Sequence, residues 1–214
     1  MNGAWWRNGW LLGLAWTAVM GLGLSACTLP LLERTEAAPK IHIFTLEWRA
    51  AAPPPSNRAK SPSLLIATPL AAAGYGGSDM LYMDDPFELK AFAWHRWADA
   101  PARLLEPLLL TAAERTGRFG TVVPAGTPGE TDLRLETRLL YLRQVFKDDS
   151  CRVEMALRVT LVNNRSARIL GTRDLQTSLP CTSPDPRGGA ITANRIVAIL
   201  LEQLQGFLRA HAPE

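Results

Sequence analysis

Two runs of alternating residues in the second half of the chain constrain its fold more than anything else in the sequence. Leu133, Leu135, Leu139 and Tyr141 alternate with Arg134, Glu136 and Arg138. Cys151, Val153, Met155, Leu157, Val159 and Leu161 do the same opposite Arg152, Glu154 and Arg158. A period of two puts every apolar side chain of such a run on one face. These are long strands with one dry and one wet face, the pattern of an antiparallel sheet covered on one side. Asn163-Asn164-Arg165 supplies a turn, and Ala167 to Thr177 returns as the antiparallel partner. From Thr192 to Ala210 the period becomes helical. Ile196, Val197, Leu200, Leu201, Leu204, Phe207 and Leu208 form the apolar stripe, with Arg195, Glu202, Gln203 and Arg209 facing water.

The first half carries shorter signals. Ile41 to Trp48 alternates around β-branched and aromatic residues and predicts a strand. Residues 50 to 62 hold four prolines and predict a loop. Ser63 to Thr68 fits a buried strand, and Ala71 to Ser78 a flexible, glycine-rich turn. Asp79 to Asp84 and Leu89 to Arg96 predict two strands around an Asp84-Asp85-Pro86 turn. Asp99 can cap a helix with Pro101 in its first turn, where a missing N–H costs little. Leu104, Leu105, Leu108, Leu109 and Ala112 have helical spacing, and the helix should end near Gly117. Pro107 lies inside it, so a kinked or late-starting helix is expected. The fold class is α+β: one domain over 41–211, a mostly antiparallel sheet with two main helices packed on one face.

Composition narrows function by exclusion. The 23 Lys and Arg against 20 Asp and Glu leave a formal charge of +3 on 214 residues, too weak a field to argue for nucleic acid. Three Cys and three His leave almost nothing for a metal cluster, and no HExxH spacing occurs, so no metal is expected. No GxSxG elbow is present, and Gly74-Tyr75-Gly76-Gly77-Ser78 lacks the lysine of a phosphate loop and fits a hinge. Asp84 and Asp85 could hold a cation, but a solvated turn before Pro86 is the simpler reading. No catalytic residues are assigned, and the chain is not expected to be an enzyme.

The N-terminus says where the domain lives. Residues 8 to 32 carry no charge, and Arg7 is the last cation before them. Trp10 to Leu24 has the length of a signal-peptide apolar core. Leu24-Ser25-Ala26-Cys27 follows and resembles the lipobox of bacterial lipoproteins. Small residues at 25 and 26 suit a signal peptidase, and the Cys27 thiol is the nucleophile that would take a diacylglycerol. The alternative is a transmembrane anchor, since the uncharged run could span a bilayer. Gly13, Gly21, Gly23 and Pro30 weaken such a helix. The organisation expected is a signal peptide over 1–26, a lipidated tether over 27–40 and the folded domain after it. Apart from the diacylglycerol and N-acyl lipid (palmitate) on Cys27, no cofactor is expected. By the same resemblance, Thr28 rather than Asp after the cysteine favours the outer membrane of a Gram-negative bacterium, with the domain facing the periplasm.

In that oxidising compartment Cys151 and Cys181 remain as a pair. If Val162 faces Ala167, Cys151 falls opposite Ser178, with Cys181 three residues beyond and within reach once the chain turns at Pro180. A disulfide is expected, two free buried thiols being the alternative.

The segment Leu81 to Phe119 resembles a known family. Tyr82, then Ala91-Phe92-Ala93-Trp94-His95-Arg96-Trp97-Ala98-Asp99-Ala100-Pro101, then a Leu-rich helix ending Thr116-Gly117-Arg118-Phe119, is similar to the ABC-type transport auxiliary lipoproteins, the family of PqiC-like outer-membrane lipoproteins. The likeness extends in outline over roughly 41 to 210. It implies a non-catalytic, periplasm-facing lipoprotein beside an MCE-domain protein, a permease and an ATPase, a system that moves phospholipids or other hydrophobic molecules between membranes. The expected partners are the MCE-domain protein and the membrane, with self-association left open. The alternatives are an outer-membrane assembly lipoprotein that binds lipopolysaccharide or a barrel, and a lipoprotein hydrolase with a convergent nucleophile.

Tyr82, Trp94 and Trp97 are the candidate partner interface. Trp94 and Trp97 are three residues apart on a strand and point to opposite faces. One should be core and the other an exposed anchor, and Trp97 is predicted to be buried against the helix that follows.

Overall fold

The two alternating runs fold as the central strands of one mixed sheet. The structure is a computed structural model and describes residues 39–49, 61–148 and 150–213. The expected signal peptide, Cys27, the tether as far as Ala38 and most of the Pro-rich loop lie outside the described residues. Among the described residues the elements run β1 (His42–Phe44), β2 (Ser63–Ile66), β3 (Leu70–Ala71), β4 (Asp79–Met83), β5 (Lys90–Trp97), α1 (Pro101–Glu114), β6 (Thr121–Pro124), β7 (Leu133–Lys147), β8 (Ser150–Asn163), β9 (Arg168–Pro180) and α2 (Pro186–His211).

Strand β7 is 15 residues long, roughly 50 Å of extended chain. One of its edges pairs antiparallel with β8 from Leu133↔Asn163 to Lys147↔Ser150, and β8 pairs antiparallel with β9. No single strand of the first half can match that length, so three short ones share the other edge in turn. Strand β2 meets Leu133 to Leu135, β3 meets Arg138 and Leu139, and β4 meets Gln144 and Val145, all parallel to β7. Outside β2 lies β6, parallel to it. Outside β4 comes antiparallel β5, and β1 closes that edge parallel to β5. The α+β class therefore holds, and the sheet is mixed: the long pairings are antiparallel and the short pairings to β7 are parallel. Ser63 fixes the start of β2 by donating its backbone N–H and hydroxyl to the Asp132 carboxylate (2.9 and 2.8 Å).

The helices cover one face. Leu133, Leu135, Leu139 and Leu142 of β7, the alternate residues Val153, Met155, Leu157, Val159 and Leu161 of β8 and Leu175 of β9 are buried in one cluster with Leu105 and Leu109 of α1 and the stripe of α2. Leu139, Leu157 and Leu175 sit side by side across the three long strands, each about 1% exposed. A side chain buried that fully contributes about 1.5–3 kcal/mol.

Several sequence expectations shift, each for a local reason. A bulge between Leu139 and Tyr141 resets the alternation of β7. Leu142 and Gln144 point inward beyond it, and Tyr141 turns to the wet face, where the Arg143 guanidinium lies 5.0 Å from its ring. The β8–β9 register differs from the one built on Val162 facing Ala167. The connecting loop keeps the same length but sits one residue later, with Asn163 paired with Arg168, and a second bulge lies between Leu161 and Val162. Strand β1 ends at Phe44 rather than Trp48, because the next residues leave the sheet to run along α2. Asn194 accepts from the Glu47 N–H (2.6 Å) and donates to the Thr45 carbonyl (3.1 Å).

Helix α1 starts at Pro101 and runs through Pro107 to Glu114. Pro107 is on the solvent side, where a backbone carbonyl left without its helical partner can be hydrated. The start is not late, and Asp99 is not the cap. Ala100 holds that position, while Asp99 accepts from the Ala100 N–H (2.7 Å) and pairs with Arg103 (3.0 Å). Helix α2 starts six residues before Thr192, at Pro186. Gly188 and Gly189 resemble loop residues in sequence, but they are helical: an added Cβ would collide with Ser183 at one and with Gln144 at the other. His211 is held at the end of α2. Its ring stacks on Phe207 (4.5 Å between centroids) and packs over Gly171.

Candidate docking surface

The junction of β7, β8 and α2 fixes where the β1–β5–β4 wing meets the body. Cys151 and Cys181 form a disulfide, with Cα atoms 5.3 Å apart. The corrected register explains it: continuing from Arg152↔Pro180, the two cysteines face each other, and the Cys181 N–H donates to the Cys151 carbonyl (2.9 Å). Gln144 donates from Nε2 to both sulfurs (3.4 and 3.7 Å) and to the Asp185 carbonyl (3.1 Å). Asp185 caps α2 by accepting from the Gly188 N–H (2.7 Å). That N–H, with the Ser183 hydroxyl, holds the Asp185 carboxyl below the usual carboxylate range. Disulfide, amide and cap form one continuous clasp.

An aromatic row extends the helix-facing side of the sheet across the wing. Tyr82 stacks on Phe92 (4.5 Å), and Phe146 meets both edge-on (5.9 and 6.3 Å). The row continues through Phe92 to His95 (6.1 Å), then to the stacked His42 (5.1 Å) and Phe44 (6.2 Å). Burial, reinforced by the neighbouring His42, lowers the His95 pKa, with Asp185 opposing. Tyr82, Phe92 and Phe146 are each only half-buried. The sequence motif contains Tyr82 and Phe92, but Phe146 lies beyond where the strand was expected to end, so the third ring of the cluster was not legible.

The two tryptophans separate as their spacing requires. Trp97 is 5% exposed and Trp94 47%. Trp97 is buried as expected, and Met80, Leu142, Val153 and, from α2, Gly189 and Ala193 share with it the lining of one small cavity, so the terminal helix takes part in covering it. Its burial removes it from any contact surface. Trp94 looks the other way. His42 pairs with His95 and Ile43 with Arg96, so continuing the register sets Ile41 beside Trp94. Ile41, Ile43 and Trp94 are all exposed and lie at the sheet edge. Ile43 also lines a groove of about 660 Å³ with Trp48, Arg49, Asn194 and Arg195, between the 43–49 segment and α2.

The acidic turn is partly neutralised by one lysine. Asp84, Asp85 and Glu88 place their carboxylates within 4.8 Å of one another. Lys90 reaches Asp84 (2.9 Å) and Glu88 (3.0 Å), which raise its pKa above the usual lysine range, Asp84 contributing most. A cation there would have to displace an ammonium group. The glycine-rich turn is tied down through Tyr75: its N–H donates to Ala72, and its hydroxyl accepts from Arg143 (3.4 Å).

No helix among the described residues is long and apolar enough to cross a membrane. The model of the family described as "ABC-type transport auxiliary lipoprotein component" matches residues 44–205. No curated protein matches the sequence. A crystal structure of a Xanthomonas campestris protein assigned to the DUF330 family model is similar at 20% identity, covering 80% of this chain and 96% of that one, with a TM-score of 0.66. A second crystal structure, of an uncharacterized protein, is 12% identical, with 80% and 98% covered and a TM-score of 0.58. At these identities the likeness is one of fold. The family match spans most of the sheet and both helices, the same stretch that carries the Tyr82 and Trp94–Pro101 motif, and the chain belongs to the ABC-type transport auxiliary lipoprotein component family.

Proposed function

We propose that the mature protein begins at a lipid-modified Cys27 and is held in the outer membrane. There it serves as the non-catalytic docking component of an ABC transport system with an MCE-domain protein in the periplasm. The system would move phospholipid or another hydrophobic substrate between the two membranes. The observation that carries the reading is the family match over 44–205, on a chain whose first residues read as a lipoprotein signal. Two or more acyl chains on one cysteine give stable anchoring without a spanning helix.

Partner recognition falls to the aromatic row of the wing. Tyr82, Phe92 and Phe146 offer a half-buried apolar cluster with a phenol at its rim, the residue chemistry enriched at interface hot spots. Trp97 serves the same surface indirectly, by locking β5 against α2. The role requires no metal or cofactor beyond the covalent lipid.

The test is a crosslinked pull-down of the tagged protein from native membranes, comparing wild type, Cys27→Ala and Tyr82→Ser. Wild type should recover an MCE-domain protein. Tyr82→Ser should recover several-fold less, and Cys27→Ala should lose the outer-membrane fraction. Absence of any MCE-domain protein from the wild-type sample would defeat the transport role and favour an assembly lipoprotein.

A further inference from the structure

The aromatic row is on one face of the wing; Ile41, Ile43 and Trp94 are on the other, apart from that row. Their exposures are 47%, 68% and 47%. They stand on the edge strand β1 and its neighbour β5, at the point where the chain enters the fold from Cys27. We propose that this patch rests on the phospholipid bilayer that holds the Cys27 lipid, so that the domain is oriented by its own membrane rather than swinging freely on its tether. The inference rests on the anchoring of Cys27 proposed above.

Three features favour a bilayer as the occupant. The first is reach. Residues 28–40 separate Cys27 from Ile41, at most about 50 Å when fully extended and about 20 Å on average if flexible. The patch begins at the first residue after that tether, so no other part of the domain is held closer to the membrane along the chain. Tethering at that range turns even weak contact into frequent contact. The second is composition. A half-exposed Trp beside two exposed Ile gives an apolar body with an indole N–H, which suits the boundary between acyl chains and headgroups. The third is charge. Lys40 precedes the patch, Arg96 pairs in register with Ile43, and Arg49 and Arg195 line the groove that Ile43 borders. Cations around an apolar centre suit an anionic phospholipid surface. Arg96 is partly engaged by Asp79 (3.5 Å), and Glu47 is the one acid lining that groove.

The test uses the full mature protein, purified from membranes and reconstituted into phosphatidylethanolamine–phosphatidylglycerol vesicles, with and without bromine on the acyl chains. Mass analysis of the N-terminal peptide establishes the Cys27 lipid first. The Trp94 signal is the fluorescence difference between wild type and Trp94→Phe, since Trp48 and Trp97 remain in both. That difference should fall by half or more in the brominated vesicles, and Ile43→Asp should restore most of it. An unquenched difference on protein whose Cys27 carries lipid overturns the bilayer contact and leaves the anchor standing. Absence of lipid on Cys27 overturns the anchor, and the orientation proposal with it. Crosslinking of position 94 to a second copy or to the MCE-domain partner, without quenching, overturns the proposal in favour of that occupant.

Discussion

The body of the sheet and its wing are built on different terms. In the body, β7, β8 and β9 pair over a dozen or more residues each, and their inward leucines interlock beneath two helices. In the wing, β1, β5 and β4 pair over three residues at each interface, with an irregularity between Asp79 and Leu81. The wing leaves large apolar side chains exposed on one face and half-buried on the other. Length of pairing and depth of burial set stability, so the body carries the fold. The wing can afford surfaces that a self-contained core would have covered. The difference assigns stability to one region and contact to the other.

That contrast can be broken by experiment. The largest effect should come from the leucine row. Leu157→Ala removes a side chain buried between Leu139 and Leu175 and should cost about 2–5 kcal/mol, read as a fall in the urea midpoint. A cost near zero would mean that the body is not the stable half.

Replacing Cys151 and Cys181 together by Ala should cost a comparable amount, short of the upper end of that range. A closed loop with a sequence separation of 30 is worth about 3–4 kcal/mol in the chain-entropy model. The clasp adds a sharper signature: amide exchange should rise in the first turn of α2, where Gln144 and Asp185 meet, more than in its last turn. Uniform loosening would show that the bridge does not specifically hold the start of that helix.

Asp185→Ala should cost about 1 kcal/mol at neutral pH. The folded-state pKa of Asp185 is depressed by the Gly188 N–H and the Ser183 hydroxyl. Its contribution is therefore complete above the ordinary carboxylate pKa, about 4, and is lost as pH falls through the lower folded value. Denaturation curves of wild type and variant should converge in acid and separate as pH rises. A gap that widens on acidification would contradict the cap.

The smallest effect belongs to the wing. Trp94→Ser should change stability by no more than about 0.5 kcal/mol, because the side chain is already half in water. A large loss would place Trp94 in the core and erase the distinction between the regions.

Much of this was legible residue by residue. The alternation at 151–161 and the stripe at 196–208 are periodic signals longer than any competing one, and both elements formed where they pointed. The opposite facing of Trp94 and Trp97 needed only the pleat, and the cysteine pair needed only compartment and proximity. The failures occurred where one residue changes the count. The extra residue in the Leu139–Tyr141 bulge flips Tyr141 outward, and nothing in the alternation of Leu and Arg marks it. Gly188 and Gly189 suggest loop because glycine is a poor helix former. They are helical because Ser183 and Gln144 press against them, a contact with no local sequence signal. The candidate site divided in the same way: Tyr82 and Phe92 are in one motif, while Phe146 joins them from 54 residues beyond Phe92.

The sequence by itself determined most of the elements and most of the faces they bury, because periodicity, composition and short motifs act over a few consecutive residues. Tertiary structure alone decided which strand lies beside which. Three short strands dock parallel to β7 because that single long edge offered hydrogen bonds to all of them. Backbone groups left unpaired in a covered sheet are costly, and a pairing partner far along the chain leaves no mark on local periodicity. The aromatic row and the opposite Ile41–Trp94 patch both follow from that arrangement, and neither existed until β1 took its place at the edge.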